Sequence, residues 1–380
     1  MTTSTELGRR LAHLREEFGI STERAAEWAS LPAERVESIE ETGQMEPWEL
    51  HRLCQALAVN PGTILQGLER SPKRSIARFR AAVVHAQPPV NLRLLAVGAE
   101  VGRILGSLAK MMSIPLKVEH LRRPTALSDT EPMWKQGYRL GESARSRSGL
   151  AQGPIADLEK SLTTLGVHVG RVTFSSEDLD AASLWEIGSV PVILLNQASP
   201  RVKYLLSRRA VLAHELCHLL HDAGEADLTT QVSWAERERD DSAEQRARAF
   251  ASAFIAPRDS VSHWARTVLG RTRSRDLVHS LARHWGLSKD GAVWHAKNCK
   301  LVSASMAEDL YQDRQVGEAR WMSRFEGGRV DDVSPALDVR TDVLNQVPAL
   351  WAGLGAEIIG RAYEAGAISA GRAREILDWH

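Results

Sequence analysis

Ala213-His214-Glu215-Leu216-Cys217-His218-Leu219-Leu220 is the stretch from which the rest of this chain is read. It lies in an apolar helical run that begins near Arg209. On a helix, residues four apart share one face, about 6 Å apart along the axis. The imidazoles of His214 and His218 can therefore converge on one Zn²⁺, with Glu215 beside them as a base for water. A bare H-E-x-x-H also arises by chance on ordinary amphipathic helices. The deciding question is a third ligand. The long form of the motif needs glycine at 221 and histidine at 224, and the chain has His221 and Gly224. His221 is seven residues beyond His214, a rise of about 10.5 Å, too far for both to bind one ion.

Further along, Ala247, Phe250, Ala251, Phe254 and Ile255 mark the apolar stripe of a second helix, which Pro257 ends. Glu244 precedes Ala247 by three residues, on the same face, so it can point inward. A carboxylate turned into a core needs a partner, and a metal ion is the obvious one. A first-turn glutamate favoured by the helix dipole is the competing explanation.

Together the two segments resemble the ImmA/IrrE family of metallopeptidases. The resemblance rests on Arg209-x-x-Leu212-Ala213-His214-Glu215-x-x-His218-Leu219-Leu220, on Glu244-x-x-Ala247-x-x-Phe250-Ala251, and on Ala256-Pro257. It extends to Gly153-Pro154-Ile155 opening a helix and to Val190-Pro191-Val192-Ile193-Leu194-Leu195-Asn196 as the strand before the motif helix. It implies zinc on His214, His218 and Glu244, with Glu215 as catalytic base. Two positions depart from the family pattern: Cys217 stands where glycine is usual, and Arg248 where asparagine is usual. Neither is a ligand.

The 380 residues leave room for two or three domains. Lys+Arg and Asp+Glu both number 48, so total charge makes no case for nucleic acid, and any such case is regional. The polar start Met1-Thr2-Thr3-Ser4 leads straight into a helical pattern rather than a signal peptide, and no apolar run is long enough to span a bilayer. Three scattered cysteines, Cys54, Cys217 and Cys299, make no disulfide framework. A cytoplasmic protein with no membrane contact is expected.

The expected fold is mainly α with a small β-sheet, an α+β arrangement. Residues 1–70 read as a bundle of short helices similar to the XRE/Cro-type helix-turn-helix. Leu7, Leu11 and Leu14 form one stripe, Ser21 caps the second helix, Gly43 stops the third and Pro47 starts the fourth. The resemblance implies a third helix in the major groove. This segment nevertheless carries seven Lys/Arg against twelve Asp/Glu, a net of −5. A docking or dimerisation module is thus the alternative to a DNA reader. Residues 71–135 read as a helical connector, with one amphipathic helix through Val97, Val101, Ile104, Leu105, Leu108, Met111 and Met112. The zincin-like core is expected over 136–257. Its strands are expected at Val167–Val172 and Val190–Leu195, with a further one around Ser183–Glu186. The polar stretch 222–241 is expected to be loop, with Trp234 lining a pocket or packed.

Residues 258–302 read as a basic helix-turn-helix-like unit, since 258–300 holds nine Lys/Arg and three Asp, a net of +6. If DNA is bound, Arg24, Arg35, Arg271, Arg273, Arg275, Lys289 and Lys297 are the candidate contacts. The alternative is that this basic face docks the acidic N-terminal bundle. Residues 303–380 read as a helical region that is structural or oligomerising, which leaves room for a homodimer. The expectation is a zinc endopeptidase fused to a helix-turn-helix, with a repressor or an antitoxin-type protein as its specific substrate. The other reading is a DNA-binding repressor or antitoxin whose peptidase domain is a sensor.

Overall fold

The computed structural model describes residues 4–17, 20–57, 59, 61–66, 89–122, 131–186, 188–222, 228–234, 242–268, 274–313 and 347–378. The basic stretch 71–88, the loop 123–130, the charge run 236–241, Arg271, Arg273, the side chain of Trp234 and the loops at 326–328 and 334–335 lie outside it.

Five helices open the chain: α1 (Ser4–Glu17), α2 (Thr22–Ala29), α3 (Ala33–Thr42), α4 (Pro47–Ala56) and α5 (Pro61–Gln66). Their ends follow the local signals. The Ser21 hydroxyl accepts from the Arg24 N–H, Gly43 closes α3 at φ +69°, and Pro47 takes the first turn of α4. Leu11, Leu14, Ala25, Val36, Ile39 and Leu53 fill the bundle. Ile64 is buried behind the bundle, whereas the adjacent Leu65 is 49% exposed. Two arginine forks brace the helices: Arg15 on Glu40 at 2.7 and 2.8 Å, and Arg35 on Glu49 at 2.7 and 2.7 Å.

The next helix is α6 (Pro89–Met111). It lies flat on a four-stranded sheet. A Cβ on Gly98 would come 2.7 Å from Leu194 Cδ1, and one on Gly102 would come 2.6 Å from the Val190 carbonyl oxygen. Only hydrogen at these positions allows so close an approach. After it come α7 (Met133–Arg147), α8 (Leu158–Leu165), β1 (His168–Val172), β2 (Leu179–Glu186) and β3 (Val192–Asn196). Helix α8 begins at Leu158 rather than at Gly153, because the Asp157 side chain caps it by accepting from the Lys160 N–H. The chain continues through α9 (Pro200–Lys203), α10 (Leu205–Cys217), a π-helical turn His218–Asp222 and β4 (Leu228–Trp234). Strand β4 falls in the stretch expected to be loop. The strand order is β1-β3-β2-β4; β1 and β3 are parallel, and β2 is antiparallel to both β3 and β4.

Both faces of this sheet are covered. Val192 and Leu194 turn to one core with α6, and Ile193 and Leu195 turn to the other with α10. That is why β3 reads as an unbroken apolar run rather than an alternating one. On the second face α10 is followed by α11 (Ser242–Ile255), α12 (Arg258–Val268), α13 (Ser274–Trp285), α14 (Lys289–Asn298) and α15 (Ala304–Gln312). Helices α13 and α14 are joined by a short turn, with Gly286 at φ +73° and Ser288 capping α14. Ala307 and Leu310 of α15 belong to the same core, so this unit runs past its expected end at 302.

Two last helices, α16 (Leu354–Glu364) and α17 (Ala370–Leu377), return to the first face. The buried His168 ring of β1 holds this segment: Nε2–H donates to the Leu350 carbonyl at 2.7 Å, and Nδ1 accepts from the Gly355 N–H at 3.2 Å. The N-terminal bundle is tied to α6 and α17. Arg93 donates to the carbonyls of Ala56 and Gln55 at 2.9 and 3.3 Å and lies over the Trp28 ring, while His51 approaches Glu375 at 3.9 Å. The alternative of a bundle docked on 258–300 is not what these attachments describe; they seat it on α6 and α17. The bundle, α6 and α17 share one apolar core.

Candidate metal centre

Helix α10 is clamped at its start. Arg209, 3% exposed, donates from Nη2 to the Ile155 carbonyl at 2.8 Å and from Nε to the Gly286 carbonyl at 3.1 Å. Ala213, Leu216 and Cys217 are buried in the core beneath the sheet. This turns the face bearing His214 and His218 toward the start of α11, where Glu244 sits. Helix α11 is held in turn by α7. The two run parallel, with Gly137 over Arg246 and Ala249 and Gly141 over Phe250 and Ala253. A Cβ on Gly137 would fall 2.2 Å from the Arg246 carbonyl oxygen, so the helices touch through backbone.

Glu244 lies 30 residues beyond His214 in the sequence, and the fold brings it to the two histidines. One ligand atom each from His214, His218 and Glu244 lie within 4.8 Å of one another, all three residues buried. The two Nε2 atoms are 3.0 Å apart, His214 Nε2 is 3.1 Å from Glu244 Oε2, and His218 Nε2 is 3.1 Å from Glu244 Oε1. A tetrahedral ion with ligand bonds of about 2.0–2.1 Å requires donors about 3.3 Å apart. Donor chemistry and spacing therefore both fit zinc. Electrostatics points the same way. Burial works against a charged His218, yet hydrogen bonds to Asp222 and Glu244 outweigh it and carry its pKa up to about 10. The Glu244 carboxyl lies well below its usual range: burial raises it, and its bonds to the two histidines more than reverse that. An ionised carboxylate buried against two imidazoles is a setting that a bound cation would complete.

Glu215, the candidate base, is fully buried on the same helix and close enough to act electrostatically on His218. His221 goes elsewhere. Its ring packs edge-on to Phe250 at 5.7 Å, and burial lowers its pKa to about 4. Cys217 is wholly buried, and burial raises its thiol well above the usual value; Arg248 lies on the exposed side of α11. Arg248 thus turns away from the site, whereas Cys217 is near enough to feel the charges of Asp222, Arg246, Glu244 and Glu215.

Sequence reading missed two residues at this site. Asp222 Oδ2 accepts from His218 Nδ1 at 2.6 Å, and its other oxygen pairs with Arg246. The available signal was spacing: Asp222 is four residues from one ligand and Arg246 two from another.

The described candidate DNA contacts, Arg24, Arg35, Arg275, Lys289 and Lys297, are engaged within the chain. Arg24 pairs with Glu27 at 2.7 Å, Arg35 is forked on Glu49, and Arg275 pairs with Asp313. Lys289 donates to the Tyr311 carbonyl at 3.0 Å, and Lys297 lies 5.0 Å from the Trp294 ring centroid. The exposed residues of α3 include Glu34, Glu37 and Glu41.

Residues 162–292 match a peptidase M78 family model described as the IrrE N-terminal-like domain, and residues 6–65 match a helix-turn-helix domain model. No curated protein matches the chain. Among the described residues, no helix is long and apolar enough to cross a membrane. The two matches together describe a helix-turn-helix domain joined to a peptidase-like domain of ImmA/IrrE type.

Proposed function

We propose that this chain, a helix-turn-helix joined to an ImmA/IrrE-type peptidase domain, is a zinc-dependent endopeptidase that cleaves one specific protein partner of repressor or antitoxin type. The observation that carries this reading is the convergence of His214, His218 and Glu244 in one buried cluster, with Glu215 beside it. His214 and His218 would hold the ion through Nε2, and Glu244 through a carboxylate oxygen. Bound there, zinc supplies Lewis acidity toward water and the scissile carbonyl. Glu215 takes a proton from the attacking water onto its carboxylate and passes it to the departing amine. Burial keeps that carboxylate clear of bulk water, where it would be solvated and less effective.

Strand β4 supports a peptide substrate. It is the outermost strand beside β2 and contacts the turn that begins at His218. An extended segment pairing along such an edge is held by its main chain and led past the metal ligands. The resemblance, rather than the geometry, suggests a repressor or antitoxin as substrate. A second reading, a DNA-binding regulator with a non-catalytic sensor domain, finds no use for the buried Glu215.

The test is to incubate wild-type protein and Glu215→Gln with the proteins encoded by neighbouring genes. Cleavage by the wild type alone is expected. Zinc content should be about one ion per chain, and His214→Ala or Glu244→Ala should release it. Full zinc retention by Glu244→Ala would remove that residue from the ligand set. Cleavage by Glu215→Gln at the wild-type rate would end the catalytic assignment.

A further inference from the structure

Helix α10 does not end cleanly at the motif. From His218 to Asp222 the chain widens into a π-helical turn. Such turns are uncommon and often lie at functional sites, because they re-aim the side chains that follow. Here the re-aimed side chain is Asp222, whose Oδ2 reaches His218 Nδ1 at 2.6 Å. The His218 and Asp222 side chains are 1% and 10% exposed. The other Asp222 oxygen pairs with Arg246, itself 9% exposed and two residues beyond Glu244 on α11. A closed loop results. From Nε2, His218 meets Glu244 directly; from Nδ1, it reaches the same turn of α11 through Asp222 and Arg246.

We propose that Asp222 and Arg246 are positioning residues for the metal ligands, with Asp222 fixing the ring and tautomer of His218 and Arg246 fastening Asp222 to the helix that carries Glu244. The inference rests on the zinc reading above. A neutral imidazole has one N–H, and a carboxylate facing Nδ1 keeps it there, leaving the Nε2 lone pair for the ion. Without that carboxylate, the tautomer with hydrogen on Nε2, which cannot ligate, competes. Arg246 has a matching need: a buried guanidinium requires an anion, and Asp222 provides it. Arg246 Nη1 also approaches Met133 Sδ at 3.9 Å, so the start of α7 flanks the pair. The bland explanation is an ion pair that merely holds two helices together. That would stabilise the fold without altering metal affinity in a folded protein.

Zinc affinity separates the two. Wild type, Asp222→Ala, Asp222→Asn and Arg246→Met are first shown to be folded by circular dichroism and tryptophan fluorescence. Each is then titrated with Zn²⁺ against a chelator of known affinity. Asp222→Ala is expected to bind zinc about 10- to 100-fold more weakly. Asp222→Asn should lose less, because its carboxamide oxygen still accepts from Nδ1–H. Arg246→Met should weaken binding too, and combining it with Asp222→Ala should add little, since both break the same chain of contacts. Nitrogen-15 shifts of His218 give a second readout in the zinc-loaded protein: protonated Nδ1 and metal-bound Nε2 in the wild type, loss of that single pattern in Asp222→Ala. Folded Asp222 and Arg246 variants with zinc affinity within about twofold of wild type would overturn the proposal while leaving the metal site standing. If Asp222→Ala does not fold, Asp222→Asn and Arg246→Met decide between the two explanations by the same measurement. A wild type that holds no zinc overturns the metal reading, and this inference with it.

Discussion

At position 215 an exchange of carboxylate for carboxamide separates chemistry from structure. Glu215→Gln keeps the volume of a fully buried side chain but removes its capacity to take a proton. Cleavage of the true substrate should fall by about 10²- to 10⁴-fold, the usual contribution of a general base, with zinc content and melting temperature little changed. A second residue-scale prediction concerns His168. Burial lowers its pKa to about 4 against the bond to the Leu350 carbonyl, which favours the charged ring, while the bond that Nδ1 accepts from the Gly355 N–H needs the neutral one. In the unfolded chain the ordinary value of about 6.5 applies, so between these limits the unfolded state binds more protons. Stability is therefore lost as pH falls from about 6.5 toward 4. By pH 5 the loss relative to pH 7 is about 2 kcal/mol from this group alone. Urea unfolding of metal-free protein at the two pH values, for wild type and His168→Gln, checks the sign. The variant should start less stable at pH 7 and lose about 2 kcal/mol less on acidification. Equal losses in both would show that His168 is not the group responsible.

Between elements, the parallel pair α7 and α11 decides where Glu244 stands. Gly137 lets the two backbones meet, and an added methyl would have to displace the Arg246 carbonyl at 2.2 Å and the Ala249 Cβ at 2.7 Å. Backbone cannot swing aside as the end of a flexible side chain can. Gly137→Ala should therefore force the helices apart at a cost of about 1–3 kcal/mol. Because the displaced turn follows Glu244 directly, zinc affinity should drop with stability. Denaturant midpoints and chelator competition on the same protein test both halves. A variant as stable as the wild type would mean that the contact is less tight than it looks. The same element scale explains the small-residue spacing of α6, where Gly98 and Gly102 flatten one face against β2 and β3.

Across the whole molecule, the N-terminal bundle and the peptidase-like domain share one packed face through α6, α16 and α17. The bundle's third helix exposes Glu34, Glu37 and Glu41, and its Arg35 is held by Glu49. Phosphate neutralisation supplies much of the affinity of DNA-binding proteins, and this surface has little to neutralise with. Replacing Glu34 and Glu37 by lysine should tighten binding to a short duplex. It should also steepen the slope of log affinity against log salt by about 2. Fluorescence anisotropy at several salt concentrations reads that slope. An unchanged slope would show that α3 does not approach the phosphates.

The sequence by itself determined what depends on neighbours along the chain. Helix starts at Ser21, Pro47, Ser288 and Ser369 and the stop at Gly43 follow from side chains and backbone freedom within a few residues. The pairing of His214 with His218 follows from helical spacing alone. Glu244 was legible because its stripe, Ala247 to Ile255, fixes which face turns inward. What only the tertiary structure decided depends on residues that no periodicity links. Strand β4 hides in a polar stretch, since an edge strand is specified by the partner that pairs with it, here β2. That α6 packs on a neighbour is legible in its amphipathic stripe; that the neighbour is this sheet, met through Gly98 and Gly102, is not. The join of Asp222 to Arg246 spans 24 positions and a π-helical turn, and it exists only because α7 presses the start of α11 against the end of α10.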